Sequence, residues 1–268
     1  MDAAQKRFVK DVYTYFRSYG RHDLPWRQTT DPYRIVVSEI MLQQTQVPRV
    51  IEKYTSFLKR FPTVQKLASA PLGDVLIEWS GLGYNRRAKF LHHMAQVVTS
   101  EHKGKFPTTI EGLLALPGIG PYTARAVAAF AYNIPDALIE TNIRTVYIHH
   151  FFPTRETVSD AELMPSIEAT VDKINPRAWY WALMDYGSYL KSTGSKVHRK
   201  SKQYIKQSKF EGSRRQIRGG IMKALISGPK TVVQLVNILE KEKDSIESVL
   251  EDLLQEDFIQ KEKGRYLL

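Results

Sequence analysis

Apolar residues recur every three or four positions along most of this chain, with polar and charged residues between them. The first segment shows the pattern clearly, because Phe8, Val12 and Phe16 fall on one face of a helix. Gly, Pro, Asn and Asp cluster between the apolar segments, near residues 20–32, 61–72, 80–87, 103–108, 117–121, 133–136, 152–160 and 174–178. Since such clusters end helices and no sustained alternation indicates strands, the pattern predicts an all-α body.

The composition changes after Leu190. Residues 191–218 contain ten Lys or Arg and one acid, Glu211, which indicates a basic linker. Helical spacing then recurs three times before two short strand-like segments near Lys263, at 215–226, 231–241 and 245–255. This order predicts a winged helix-turn-helix, although many small packing or protein–protein domains share it. We therefore expect three parts: a helical domain at 1–190, a basic linker at 191–210 and a winged-helix-like domain at 211–268.

The charge balance narrows the choice of partner. The 268 residues include 39 Lys and Arg against 28 Asp and Glu, which gives a net charge of +11 and favours nucleic acid over a membrane. No apolar run approaches the roughly 18 residues that span a bilayer, and the amphipathic first segment is unlike a signal peptide. The chain has no cysteine, so it has no disulfide and no thiolate-held metal. We expect a cytoplasmic protein, associated with the nucleoid if the source is prokaryotic.

The segment LLALPGIGPYTARAVAAFAY, at residues 113–132, interrupts two helix-forming stretches with Pro117, Gly118, Gly120 and Pro121. This is typical of a helix-hairpin-helix, in which glycines adopt conformations that other residues avoid and the second helix presents unpaired N–H groups. Those groups can bind a phosphate without reading bases. An ordinary αα-hairpin with a glycine-rich turn explains the segment nearly as well, and the basic charge of the chain favours DNA.

Four segments carry a further signal: LPWRQTTDPYRIVVSEIMLQQTQV (24–47), GLGYNRRAKFLHHMA (81–95), KFPTTIEGLLALPGIGPYTARAVAAFAYN (105–133) and MDYGS (184–188). In sequence and order they resemble the MutY-type adenine DNA glycosylases of the endonuclease III superfamily, and the resemblance covers roughly residues 5–190. It implies a two-lobed all-α fold with double-stranded DNA in the cleft, a mispaired or damaged base flipped out, and hydrolysis of its N-glycosidic bond. We expect the protein to act as a monomer.

The resemblance places the chemistry on two carboxylates. Glu39 would donate a proton to the leaving base, and its otherwise apolar helix predicts a buried carboxyl with a raised pKa. Glu140 stands where the family usually has Asp, and its charge would stabilise the positive charge that builds on the sugar. Asn142 would position the water or the sugar. As an alternative, IETNIRTV is a plain helix N-terminus, capped by Thr141 or Asn142 with Arg144 exposed.

The same resemblance assigns residues to DNA contact. Gln44 would enter the base stack, and Tyr84 with Leu82 would wedge the duplex from the other side. The remaining expected DNA contacts are Gln43, Gly118, Gly120 and Thr123. The base pocket would be lined by Trp26, Arg27, Leu42 and Asp185.

Tyr122 determines the expected reaction subtype. Lyases of this superfamily carry a lysine just after the hairpin, and its amine forms a Schiff base with the sugar. This chain has a tyrosine in that position, as many adenine glycosylases do. Because a phenol cannot form an imine, the resemblance implies monofunctional hydrolysis.

The chain departs from the family in two further places. The four cysteines that relatives carry after the MD-x-G segment correspond here to Lys191, His198, Ser201 and Gln207, so we expect no iron–sulfur cluster and no other metal. A monovalent cation at the hairpin stays open as a cofactor.

The second departure concerns the family's C-terminal domain that recognises 8-oxoguanine, which the winged-helix-like module replaces. We expect excision of adenine opposite 8-oxoguanine or guanine. A uracil or thymine mismatch glycosylase of the same fold and a DNA-binding protein without catalysis stay open as alternatives.

Overall fold

The computed structural model describes all 268 residues and confirms the mostly helical fold. Its α-helices are α1 Ala3–Tyr19, α2 Pro32–Leu42, α3 Val47–Arg60, α4 Val64–Ala68, α5 Leu72–Trp79, α6 Arg86–Ser100, α7 Ile110–Leu114, α8 Pro121–Tyr132, α9 Thr141–Phe151, α10 Asp160–Thr170, α11 Pro176–Ser192, α12 Arg214–Ile226, α13 Val232–Leu239 and α14 Lys243–Gln255. Two 3₁₀ turns lie at Pro25–Arg27 and Val197–Lys200, and two strands follow the last helix, β1 Gln260–Glu262 and β2 Arg265–Leu267. None of the helices combines the length and apolar character needed to cross a bilayer.

Local capping explains where the helices begin and end. The Asp2 side chain accepts a hydrogen bond from the backbone N–H of Gln5, whose side chain accepts one in return, so α1 starts with a capping box. Asp31 caps α2, and Pro32 fits its first turn because the missing N–H would be unpaired there. Asn133 ends α8 in the left-handed conformation, with φ of 58°.

The helical body has two lobes. Helices α2 to α8 form the first lobe, in which α2 packs against α3 and α8, and the fully buried Trp79 of α5 packs edge-on against Phe57 of α3. Helices α1, α9, α10 and α11 form the second lobe, in which Phe8 of α1 packs edge-on against Trp179 of α11 with 5.8 Å between ring centroids. Helix α8 also contacts α11, where Arg177 donates hydrogen bonds to the backbone oxygens of Phe130 and Ala131, so the lobes meet beside the end of α8.

The C-terminal part contains α12, α13, α14 and the two strands. The helices pack around buried apolar residues that include Ile221, Leu235 and Leu250. The strands pair antiparallel, with Lys261 opposite Tyr266. This is the element order expected from the sequence, whereas the winged-helix assignment and the domain boundaries stay predictions.

Candidate active site

Glu39 lies in the middle of α2 and is only 6 % exposed. Most of its helix neighbours are apolar and buried, because α2 packs between α3, α6 and α8. Burial raises the pKa of the Glu39 carboxyl to about 7, and the nearby charge of Glu140 adds to the effect. A hydrogen bond from Tyr122 partly opposes this rise. At neutral pH a large fraction of Glu39 therefore carries the proton that a general acid needs.

Tyr122 is the second residue of α8 and holds Glu39 in place. Its hydroxyl donates a hydrogen bond to Oε2 of Glu39 at 3.0 Å. Burial, followed by the charges of Glu39 and Glu140, raises the pKa of the phenol well above its ordinary value of 10. Tyr122 therefore stays a neutral hydrogen-bond donor at physiological pH.

Glu140 caps the N-terminus of α9. Its Oε1 atom accepts hydrogen bonds from the backbone N–H groups of Asn142 and Ile143, at 2.7 and 3.0 Å. The carboxylate thus pairs two N–H groups that the start of a helix leaves without an intrahelical partner. The alternative based on IETNIRTV is thus correct that a helix starts here, but the cap is Glu140 rather than Thr141 or Asn142. Arg144 is paired with Asp160 at 2.6 Å rather than exposed.

Asn142 belongs to the same constellation. Its Nδ2 group donates a hydrogen bond to Oε2 of Glu140 at 3.2 Å. Its Oδ1 atom is buried and has no hydrogen-bond partner within the protein. A buried acceptor of this kind needs a donor, which a water or a substrate hydroxyl can supply.

A cavity of about 830 Å³ brings the predicted residues together. It is large enough for a small ligand, and both apolar and polar side chains line it. Nine residues singled out from the sequence line it: Trp26, Arg27, Glu39, Leu42, Gln43, Gln44, Tyr122, Glu140 and Asn142. Lys191, one of the four positions that correspond to cysteines in relatives, also lines this cavity and makes no hydrogen bond or ion pair through its side chain.

Asp185 does not line the cavity, which corrects the expectation that it forms a pocket wall. Its carboxylate is 3 % exposed and accepts hydrogen bonds from both terminal nitrogens of Arg27, at 2.7 and 2.9 Å, and from Arg21. Burial raises the pKa of Asp185, but the hydrogen bonds and charges of the two arginines outweigh it and lower the pKa overall. Asp185 therefore positions Arg27, which does line the cavity.

Two of the expected DNA contacts are also corrected. The Leu82 side chain is 4 % exposed and belongs to the apolar core, so it is not placed to wedge a duplex. Thr123 is buried, and its hydroxyl accepts a hydrogen bond from Nε2 of Gln43 at 3.4 Å. The side chains of Gln43 and Thr123 therefore join α2 to α8 instead of facing solvent together.

Gln44 and Tyr84 lie on two neighbouring turns, residues 43–45 and 82–84, which we name the wedge loops. Both residues are exposed and have positive φ angles, 55° and 50°, although neither is a glycine. Residues other than glycine rarely adopt this backbone conformation, and such strain concentrates at functional sites. Their exposure is compatible with the predicted entry of both side chains into a base stack.

Arg87 holds the wedge loops together, a role that was not predicted from the sequence. Its guanidinium donates to five backbone carbonyls, those of Ile40, Met41, Gln43, Leu82 and Gly83, and to the hydroxyl of Thr45, at distances from 2.6 to 3.2 Å. Burial lowers the pKa of Arg87 to about 10. In the sequence, the only indication of this role is the pair Arg86 and Arg87 after GLGYN. The sequence does not show which of the two arginines is buried.

The hairpin between α7 and α8 leaves backbone donors free. Gly118 has φ of 74°, and a Cβ atom there would lie 2.5 Å from Cβ of Phe90, so glycine suits both the conformation and the packing. Gly120 is the N-cap residue of α8, and no side chain caps the helix there. A Cβ atom at Gly120 would have no other atom within 4 Å, so the space beside it is open. The first N–H groups of α8 are therefore available to an anion such as a phosphate.

The four positions that correspond to cysteines in relatives do different things here. Lys191 faces the cavity, Ser201 is buried in a backbone bridge with Val158, and the His198 ring packs against Tyr204. Gln207 contacts Gln44. Iron–sulfur clusters are bound mainly by thiolates, so this donor set does not fit one. The expectations about cofactors stay predictions.

The fold and the hairpin define the family. Residues 37–169 match the HhH-GPD superfamily of base excision DNA repair proteins, and this range includes Glu39, the wedge loops, the hairpin and Glu140. Through this region the chain belongs to that superfamily.

Its curated relatives include adenine DNA glycosylases. The chain is 34 % identical over 184 residues to that of Buchnera aphidicola subsp. Baizongia pistaciae, covering 68 % of this chain and 52 % of that protein. It is 47 % identical over 129 residues to that of Mycolicibacterium smegmatis, covering 48 % and 44 %. The chain thus spans about half the length of the curated relatives it matches.

Solved structures agree with the fold. A thermostable thymine-DNA glycosylase is 28 % identical and superposes with a TM-score of 0.62, over 69 % of this chain and 86 % of that one. A trapped endonuclease III–DNA covalent intermediate superposes with a TM-score of 0.60 over 70 % and 88 %, and its 17 % identity supports the fold alone.

Proposed function

We propose that this protein is a monofunctional DNA glycosylase of base excision repair that removes adenine mispaired with 8-oxoguanine or guanine in double-stranded DNA. One observation carries the reaction type: Glu39, whose pKa is raised by burial to about 7, and Glu140, which caps α9, line one cavity. The adenine DNA glycosylases among its relatives support the choice of base.

The two carboxyl groups suit the two demands of the reaction. Glu39 transfers its proton to a ring nitrogen of the flipped base, so that the bonding electrons leave with a neutral base. The Glu140 carboxylate stabilises the positive charge that remains on the sugar. Water then adds to the anomeric carbon, and the ionised Glu39 can accept its proton. Tyr122 offers no amine, so no imine forms at that position.

A thymine or uracil mismatch glycosylase is the second candidate. The observation in its favour is the superposition on a thymine-DNA glycosylase at 28 % identity. Glu140 is compatible with both candidates, because a carboxylate stabilises the sugar cation whichever base leaves.

Incubation with labelled duplexes distinguishes the candidates. The panel contains adenine opposite 8-oxoguanine, guanine, cytosine or thymine, and thymine or uracil opposite guanine, each scored with and without alkali. We expect strand breaks only after alkali, in the duplexes with adenine opposite 8-oxoguanine or guanine. Release of thymine or uracil alone would replace the first candidate by the second, and breaks without alkali would contradict the monofunctional subtype.

A further inference from the structure

The end of α11 brings a serine and a lysine to the wall of the cavity. Ser188 and Lys191 lie three residues apart on this helix, so they share one of its faces, and both line the cavity. Gly187 lets α11 approach α9 closely, because a Cβ atom there would clash with the backbone of Asn142. The two side chains therefore lie on the part of the wall that also holds Glu140, the cap of α9.

Neither side chain has a partner within the protein. The Ser188 hydroxyl makes no hydrogen bond, and the Lys191 ammonium makes neither a hydrogen bond nor an ion pair. The other two cationic side chains that line the cavity are Arg21 and Arg27, and they share the Asp185 carboxylate. Lys191 is thus the cation of the cavity wall whose charge is left for a ligand.

An unpaired ammonium in this half-buried position is unfavourable. Burial lowers the pKa of Lys191, the charge of Glu140 opposes this effect, and the charge of Arg21 adds to it. The position of Lys191 in the last turn of α11 suits a cation, because the helix dipole is negative there. Lys191 nevertheless bonds to none of the carbonyl groups of that turn. An anion beside the ammonium would stabilise its charged form.

A flipped nucleotide brings such an anion to the cavity. It carries a phosphate on each side of its sugar, and flipping turns the nucleotide about its backbone. In the proposed reaction the sugar lies by Glu140, so a flanking phosphate comes to the wall that holds Lys191. The start of α9 cannot bind this phosphate, because its N–H groups at Asn142 and Ile143 already donate to Glu140.

We propose that Lys191 and Ser188 bind one of the two phosphates that flank the flipped nucleotide. The ammonium supplies the charge, and the hydroxyl donates a second hydrogen bond. Contacts of this kind fix the position of a strand without reading its bases. The hairpin offers its N–H groups from the first lobe, while α11 offers these side chains from the second. The proposal rests on the proposed function only in requiring a nucleotide flipped into the cavity.

Binding to a duplex with a stable abasic analogue tests the site without relying on excision. Lys191→Gln removes the charge, so the affinity of the full chain should fall by about 10- to 100-fold, the scale of a hydrogen bond to a charged group. Ser188→Ala should cost about 2- to 10-fold. Lys191→Arg keeps the charge and the donors and should retain most of the affinity. Undamaged duplex has no flipped nucleotide, so all three variants should bind it almost normally.

The matched control removes the same charge away from the cavity. Lys173 is exposed, precedes α11 and does not line the cavity. Lys173→Gln should therefore leave the affinity for both duplexes almost unchanged. Fluorescence anisotropy at one salt concentration measures all the affinities, and circular dichroism confirms that each variant is folded.

Duplexes with one uncharged linkage identify the phosphate that is bound. A methylphosphonate replaces either phosphate that flanks the abasic analogue, one at a time. Neutralising the bound phosphate should weaken binding of the unaltered chain about as much as Lys191→Gln does. On that duplex Lys191→Gln should cost less than about 2-fold more, because the two changes remove the same interaction. On the other methylphosphonate duplex Lys191→Gln should keep its full effect.

The outcomes keep this site apart from general attraction and from the proposed function. An unchanged affinity in Lys191→Gln, or an equal loss in Lys173→Gln or on undamaged duplex, would overturn the site. A full effect of Lys191→Gln on both methylphosphonate duplexes would overturn it too. If a variant fails to fold, equal binding of the unaltered chain to the normal and both methylphosphonate duplexes still overturns it. Failure to release adenine in the excision panel contradicts the proposed function and leaves these binding measurements decisive.

Discussion

The cavity and the wedge loops lie next to each other but are built in different ways. The cavity is formed by helices whose apolar faces pack together, and Glu39 becomes chemically useful because that packing removes it from water. The wedge loops expose polar side chains on turns with positive φ, and a single buried arginine, Arg87, satisfies their backbone carbonyls. Reactivity in the first region therefore depends on burial, while shape in the second depends on hydrogen bonds to one side chain.

Glu39→Gln should have the largest effect on activity. The amide keeps the size of the side chain and can still accept the Tyr122 hydrogen bond, but it cannot donate the proton. We expect the single-turnover excision rate to fall by about 10²- to 10⁴-fold, the usual contribution of a general acid. Binding to the same duplex should change little. A variant with nearly full activity would show that the acid is elsewhere.

The same variant should be more stable than the original at high pH. The folded-state pKa of about 7 lies above the ordinary value of 4.5, so burial of the ionised carboxylate costs stability progressively as the pH rises between these values. We expect Glu39→Gln to raise the free energy of unfolding by about 2–3 kcal/mol at pH 8 and by little at pH 5. Urea titrations at both pH values measure this, and an equal effect at both would contradict the burial argument.

Glu140→Gln should lower the single-turnover rate by about 10²- to 10³-fold, because it removes one fixed charge from the site. Glu140→Asp keeps both the charge and the helix cap but moves the carboxylate, so it tests the position of the charge separately from the cap. Asp is a preferred N-cap residue, so unfolding in urea should change little. Withdrawal of the carboxylate by about 1 Å should still cost roughly 10²-fold in rate. An Asp variant with undiminished activity would show that the site accepts either length, and a fully active Gln variant would make Glu140 a purely structural cap.

Arg87→Met should destabilise the protein by about 3–5 kcal/mol, because it leaves several buried carbonyls without a donor. Arg86→Met is the matched control at the next position. Arg86 is exposed and paired with Glu256 at the surface, so its loss should cost about 1 kcal/mol or less. Urea unfolding compares the two variants. Similar losses in both would show that the wedge loops do not depend on Arg87.

These sites differ in how far the sequence could predict them. Apolar spacing and the LPGIG breaker predict the helices on either side of the hairpin, because both signals are local. The burial of Glu39 also follows from its own apolar segment. In contrast, the core position of Leu82, the pairing of Asp185 with Arg27 across 158 residues and the reach of Gln207 to Gln44 across 163 residues depend on tertiary contacts. Arg86 and Arg87 are adjacent and chemically identical, so only the fold distinguishes them.

The smallest expected effect concerns general attraction to DNA through the basic segment at 191–210. Lys202 and Lys206 are exposed and make no side-chain hydrogen bond or ion pair, whereas Lys200 already donates to the carbonyl oxygen of Pro153 at 2.8 Å. Replacing Lys202 and Lys206 together by Gln should weaken binding to all duplexes about equally. The slope of log affinity against log salt should fall by up to roughly 1.8, because each lost phosphate contact contributes about 0.9.

The matched control for that pair is Lys6→Gln with Lys10→Gln, which removes the same charge from exposed positions on α1. Net charge alone would lower the slope equally in both double variants. A direct phosphate contact lowers it only when the lysines of the basic segment are replaced, because counterions are released where the protein neutralises a phosphate. Fluorescence anisotropy at several salt concentrations measures both slopes. Equal slopes in the two double variants would mean that the basic segment attracts DNA only through the overall field of the protein.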